Sequence, residues 1–186
     1  MSRAEATKAR ILAAATAEFA AHGIAGARVE RIAKTASANK NLIYVYFESK
    51  DLLFDAVFDA HVARGLEQVP FTAEDLPGYA GRIHDYCREH PEVLRLAAWH
   101  RLERGAEGDP SVAAPAYAAK LDSLATAQRE GHLAVTFAPA TLLTLVLALA
   151  TAWGPVGATS LPVQAVQDSD WQEARKAVVE AVRSLT

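Results

Sequence analysis

Arg28-Val-Glu-Arg-Ile-Ala-Lys-Thr-Ala-Ser-Ala-Asn-Lys-Asn-Leu-Ile-Tyr-Val-Tyr-Phe-Glu-Ser-Lys50 reads as two short helices joined by a tight turn. Val29, Ile32, Ala33 and Ala36 give the first helix one apolar stripe, and Ile43 and Phe47 give the second its own, at the three- and four-residue steps of an α-helix. Asn39 stands where a side-chain oxygen would cap the second helix. On the amino side, Ser2 and Glu5 form a Ser-x-x-Glu capping box that opens a helix carrying Leu12, Ala15 and Phe19 on one face. That helix is expected to stop at His22-Gly23, with Gly23 at a positive φ. On the carboxyl side, Ser49 caps a longer helix, with Leu52, Leu53, Ala56, Val57 and Ala60 inward, running to about Glu67.

Helical periodicity continues beyond that point and no strand alternation appears, so the fold class is all-α. A helix start is expected within 73–77, where a Thr72–Asp75 capping box competes with Pro77. His90-Pro91 and Asp109-Pro110 each place proline in a first helical turn, where its missing N–H costs nothing. Gly105 and Gly108 bracket a loop and Gly131 ends a helix. Pro139 opens the most apolar segment, 154–162 is irregular, and Ser169 with Gln172 caps the last helix. The apolar run from Ala138 to Trp153 is shorter than the roughly 20 residues that span a bilayer, so a buried interface helix is expected and no membrane partner.

The chain has 186 residues, is 51% hydrophobic and carries a net charge of −3. The charge is unevenly placed. Residues 1–50 hold eight Lys and Arg against four Glu, whereas residues 51–186 hold 11 basic against 18 acidic side chains. Such polarity suits a chain whose amino end approaches phosphates while the remainder stays clear of the polyanion. In a helix-turn-helix, the second helix meets base edges in the major groove, and Asn and Lys edges discriminate bases while other contacts fix register. The expected DNA-binding residues are Arg28, Asn39, Lys40, Asn41, Leu42, Tyr44, Tyr46 and Lys50, with Tyr46 equally able to pack beside Phe47.

Here a family resemblance becomes specific. Ile11-Leu12-Ala13-Ala14-Ala15, Phe19, Gly23, Val29-Glu30-Arg31-Ile32-Ala33, Ala36, Leu42-Ile43-Tyr44-Val45-Tyr46-Phe47 and Ser49-Lys50-Asp51-Leu52-Leu53 resemble the DNA-binding domain of the tetracycline-repressor-like (TetR) transcriptional regulators. The chain departs from that pattern where Ala27 and Arg28 replace a Thr or Ser cap, Ser37 a turn Gly, Ala38 a Val and Asn41 a Gly. The resemblance implies a dimeric repressor of double-stranded operator DNA, released by a small effector held in a C-terminal helical domain. The expected division is 1–48 for DNA binding and 49–186 for effector binding and dimerisation, joined through the linking helix.

The apolar seam Trp171, Ala174, Val178, Val182 and Leu185, beside Leu142, Leu145, Val146 and Leu149 on a helix apolar almost all round, is the expected homodimer interface. Tyr86, Cys87, Trp99, His100, Tyr117 and Trp153 are candidate effector-lining residues, each an apolar body with a polar tip. Six scattered histidines, one cysteine and the absence of a Gly-rich phosphate loop or nucleophile elbow leave no expected catalytic residue, metal site or cofactor. A lone cysteine and a polar amino terminus suit a reducing, cytoplasmic setting. The reading is a ligand-responsive homodimeric regulator of transcription; the alternative is a helical binding module whose helix-turn-helix no longer reads DNA.

Overall fold

The computed structural model describes residues 2–105, 113–156 and 168–186, and within these every regular element is helical. The elements are α1 (Arg3–Gly26), α2 (Val29–Thr35), α3 (Lys40–Phe47), α4 (Lys50–Gln68), a 3₁₀ turn (Ala73–Asp75), α5 (Leu76–Glu89), α6 (Pro91–Arg104), α7 (Ala113–Arg129), α8 (Pro139–Thr151) and α9 (Asp168–Arg183). None of the described helices is long and apolar enough to cross a membrane.

Local capping opens α1, α3 and α4. Ser2 accepts from the Glu5 N–H at 3.1 Å while Glu5 accepts in return, and Ser49 accepts from the Leu52 N–H at 3.0 Å. α1 breaks at Gly23 as expected, but the chain does not leave the helix there. Gly23 takes φ 69° and ψ −175°, a conformation almost confined to glycine, and a further turn runs to Gly26. The break is stabilised from a distance by α6. The Glu103 carboxylate accepts from the Ile24 and Ala25 N–H groups, each at 2.8 Å, and the Trp99 indole N–H donates to the Ala20 carbonyl at 3.4 Å.

A first core joins α1 to α4 through Ile11, Phe19, Ile32, Ile43, Leu53 and Phe54, with Phe19 and Phe54 edge to face at 5.2 Å. Leu96 of α6 completes it. The buried face of α4 is Leu53, Phe54, Val57 and Phe58; Leu52 and Ala60, expected inward, are exposed. The face is rotated because α1 and α6 both pack on this helix and favour the two phenylalanines. A second core holds α5, α7, α8 and α9 together around Tyr79, Leu124, Leu143, Val146, Val178 and Val182.

The remaining boundaries correct several expectations. Thr72 caps nothing, and its hydroxyl bonds the Glu74 carboxylate instead. Asp75 caps α5 by accepting from the Gly78 N–H at 2.9 Å, which leaves Pro77 in the first turn. Pro91, Pro139 and Gly131, the last at φ 77°, stand at boundaries as expected. Gly108, Pro110 and the stretch from 157 to 162 lie outside the described residues, as does the side chain of Ser169.

The joint at Gly23 makes a stability prediction. A Cβ added there would lie 2.8 Å from Trp99 Cε3 and would force a side chain onto a positive φ. Gly23→Ala should therefore cost about 2–4 kcal/mol, and Glu103→Ala roughly 1–2 kcal/mol through the two orphaned amides. Because both act on one joint, the double variant should lose clearly less than the sum. Urea denaturation of the four proteins checks this, and strict additivity would contradict it.

Candidate nucleic-acid interface

The Asn39 side chain accepts from the Asn41 N–H at 2.9 Å and so caps α3 as expected. α3 then turns Ile43 and Phe47 inward and leaves Lys40, Asn41, Leu42 and Tyr44 exposed on a single surface. Tyr46 is half-buried, edge to face with Phe47 at 6.3 Å. Val45 was not anticipated. It is 73% exposed, the most exposed apolar side chain of α3, and can offer an apolar contact of the kind a thymine methyl accepts. The signal was available, since two inward residues four apart leave position 45 on the opposite side.

Two of the charged members of the set, Lys40 and Lys50, are already engaged. Lys40 donates to Glu30 of α2 at 2.5 Å, and its ammonium lies 5.8 Å from the Tyr44 ring centroid. The Lys40 hydrogen bond holds the Glu30 carboxyl below its usual range, and the same bond raises the Lys40 ammonium. Lys50 is half-buried, donating to the Ala25 and Ala27 carbonyls at 3.4 and 3.2 Å, so it braces the α1–α2 corner beside the exposed Arg28. Lys8 of α1, also unanticipated, stands over the Phe47 ring at 5.6 Å and adds a positive charge beside α3.

Two local features support this surface. Ser37 adopts φ 48°, and the tight turn is held by the Ala38 N–H donating to the Ala33 carbonyl at 3.0 Å. At the start of α2, Glu18 of α1 accepts from the Arg28 N–H at 2.8 Å and from the Arg31 guanidinium at 2.7 Å. Burial pushes the Glu18 carboxyl up, but the bonds from Arg31 and Arg28 outweigh it and hold the group below the usual range.

Of the residues expected to line an effector site, Tyr86, Cys87 and Tyr117 share a cleft of about 560 Å³ between α4, α5, α6, α7 and α8. The other three stand elsewhere. Trp99 packs at the Gly23 break, His100 stacks on Phe58 at 4.5 Å in the first core, and Trp153 lines a separate, smaller cleft with His84 and Trp171. Two groups that sequence reasoning missed face the larger cleft: Lys120 donates to the Tyr79 hydroxyl at 2.7 Å. Lys120 is the only charged residue between Ala113 and Leu121, which was the available signal.

The expected dimer seam also divides. Leu142, Val146, Ala174, Val178 and Val182 are buried within the chain, because α8 and α9 pack against α5 and each other. Leu145, Leu149, Trp171 and Leu185 are only half-buried, and the outer side of α9 presents Gln172, Glu173, Lys176, Ala177 and Glu180.

Comparison with known proteins places this geometry. Residues 11–57 match the family model of bacterial regulatory proteins, tetR family, and residues 75–184 match that of the tetracyclin repressor-like C-terminal domain. The chain is 42% identical over 154 residues to the HTH-type transcriptional repressor SCO4008 of Streptomyces coelicolor, covering 82% of this chain and 80% of that one. The chain belongs to the TetR family. It is a DNA-binding transcriptional regulator and not an enzyme. The crystal structure of SCO4942, also from Streptomyces coelicolor, superposes with a TM-score of 0.82 at 40% identity over 96% of this chain and 97% of that one. NicS, a repressor of Pseudomonas putida, is 35% identical over 111 residues, which is 55% of this chain and 52% of NicS.

Against the TetR pattern, the missing hydroxyl cap at Ala27-Arg28 is replaced by Glu18, and Ser37 takes the positive φ that glycine would otherwise supply. Both departures leave the fold of the head intact. Cys87 yields a chemical prediction. Burial pushes its thiol up to about 11, and it lies 8% exposed against the cleft wall. At pH 8 about one molecule in a thousand would carry the thiolate, the reactive form. Iodoacetamide should label native protein at least about 100-fold more slowly than urea-unfolded protein. Equal rates would show that the thiol is not buried in solution.

Proposed function

We propose that the chain is a homodimeric repressor whose operator affinity falls when a small molecule enters the cleft below its DNA-binding head. Residues 1–48 form the reading head and 49–186 the effector-binding and dimerising body. The supporting observation is that the same two helices serve both. α4 lines the cleft with Val62, Gly65 and Leu66 and enters the first core through Leu53, Phe54, Val57 and Phe58. α6 lines it with Val93 and Ala97, contributes Leu96 to that core, and grips α1 through Glu103 and Trp99. A ligand that changes the spacing of α4 and α6 therefore has a direct hold on the head, and its differential affinity for the two spacings sets operator occupancy.

A dimer must present two α3 helices roughly 34–36 Å apart to meet successive major-groove faces. We assign the pairing surface to the outer sides of α8 and α9, with Leu145 and Leu149 at its apolar centre. The inward members of the seam stiffen the helices that carry this surface. Work on chromosomal operators makes the cytoplasm its place of action.

On the reading head, Asn41, Leu42, Tyr44 and Val45 face the bases, and Arg28, Lys40, Tyr46 and Lys50 address the backbone. Lys40 exchanges Glu30 for a phosphate on binding. Fluorescence anisotropy with duplexes from the flanks of the gene tests the assignment. One duplex should bind about 10³-fold or more tighter than scrambled DNA. Lys40→Ala should weaken all duplexes alike and flatten the salt slope by about one unit. Asn41→Ala should instead change the ranking of related sites. Uniform loss with Asn41→Ala, or an unchanged slope with Lys40→Ala, would contradict the respective role.

A further inference from the structure

Beyond the existence of an effector, the cleft wall carries information about its chemistry. Its lining is apolar over most of its area, through residues such as Val62, Leu66, Ile83, Val93 and Leu147, and no described lining residue is acidic. Its volume, about 560 Å³, lies within the range of small-molecule sites. Against this wall stands one ammonium. Lys120 has the Tyr79 hydroxyl at 2.7 Å and the ring faces of Phe71 and Tyr79 at 5.7 and 5.2 Å from its nitrogen, and no carboxylate among the described residues pairs with it. Desolvation lowers the Lys120 ammonium, with no carboxylate opposing the shift. Among the described residues, this charge drawn out of water against π-faces and a phenol has no counter-charge that would offset its desolvation.

The two phenols point the same way. Burial holds Tyr79 up at about 12, so it stays a neutral phenol, and its oxygen accepts from Lys120, leaving its own hydrogen to donate onward. Tyr86 is 8% exposed and its buried hydroxyl has no hydrogen-bond partner in the described structure, although the residue lines the cleft opposite Gly65. A buried hydroxyl left unsatisfied costs free energy that a ligand oxygen can recover. The charged groups closest to Tyr86, Arg64 of α4 and Glu92 of α6, are not part of the lining.

We propose that the cleft selects a monoanionic amphiphile, an apolar body bearing one carboxylate, with the carboxylate set against Lys120 and an oxygen within reach of the tyrosine hydroxyls. A lipophilic cation is disfavoured by the same ammonium, and a neutral molecule leaves it uncompensated. The inference rests on the cleft being the effector site, so binding and DNA release are read separately.

Titration calorimetry on the full chain would compare matched carboxylate, alcohol and trimethylammonium compounds on a decyl and on a naphthyl body, below their micelle concentrations. In at least one series the carboxylate should bind tenfold or more tighter than both analogues. Lys120→Met should remove that margin while leaving alcohol binding within about twofold, and Lys120→Arg should retain most of it. Tyr86→Phe should weaken the carboxylate about three- to tenfold, and a thermal melt of each variant checks that it is folded. Absence of a carboxylate preference in both series, or its persistence in Lys120→Met, overturns the ligand class. Anisotropy with the operator duplex then separates the two readings. Lys120-dependent binding that leaves DNA bound sustains the ligand class and overturns release, whereas release by the alcohol or ammonium compound as readily as by the carboxylate does the reverse.

Discussion

One carboxylate joins the two halves of this molecule. Where Gly23 breaks α1, the Ile24 and Ala25 amides lose their helical acceptors and the Ala20 carbonyl loses its donor, the Ile24 amide and Ala20 carbonyl in a partly buried place. Glu103 and Trp99 of α6 supply what is missing. Without these partners, the break would leave orphaned backbone groups, which a folded chain tolerates poorly. With them, the break becomes a fixed joint, and α6 belongs as much to the DNA-binding head as to the body. The same reasoning accounts for Leu96, which closes the head's core from outside it.

What could be read from the letters divides along the same line. Ser2, Asn39, Ser49, Gly23 and Pro91 act on amides or torsions within a few residues of themselves, and each does what its type suggests. Glu18 and Glu103 act on amides 10 and 78–79 residues away, and nothing in the letters around either glutamate announces such a partner. Trp99 and His100 looked like pocket residues because an aromatic with a polar tip suits a ligand and a core equally well, and here α1 and α4 use both. Lys120 gives no such signal for the opposite reason, since a helical lysine is ordinarily solvated.

The apolar seam of α9 shows a related ambiguity. A stripe at three- and four-residue steps establishes that one side of the helix is covered, but not by which chain. In this fold α5 takes up much of that stripe, and the outer side of α9 is left with polar and small residues. Pairing through such a surface, as proposed, would depend on close approach at the exposed Ala177 and on the half-buried Leu145 and Leu149 of α8 rather than on a broad greasy face. The charge division between the head and the body fits that arrangement, because the acidic surplus lies in the part that need not approach DNA.

An effector in the cleft, as proposed, would act on the recognition helix through one corner. The corner from Ile24 to Ala27 is held from two sides: Glu103 of α6 takes its amides, and Lys50 of α4 takes the Ala25 and Ala27 carbonyls. Arg104 ties those two helices to each other through Asp55 at 3.0 Å and Asp51 at 3.5 Å. At about 1.5 Å per residue, Ala97 lies roughly 9 Å from Glu103 along α6, and Val62 roughly 18 Å from Lys50 along α4. The two arms are unequal. Spreading them at the cleft would displace Glu103 and Lys50 by different amounts, and the corner they both hold would rotate or release one of them. Since α2 follows that corner directly and α3 packs on α2, rotation there would re-aim the proposed base-reading surface without requiring a change inside the head's own core.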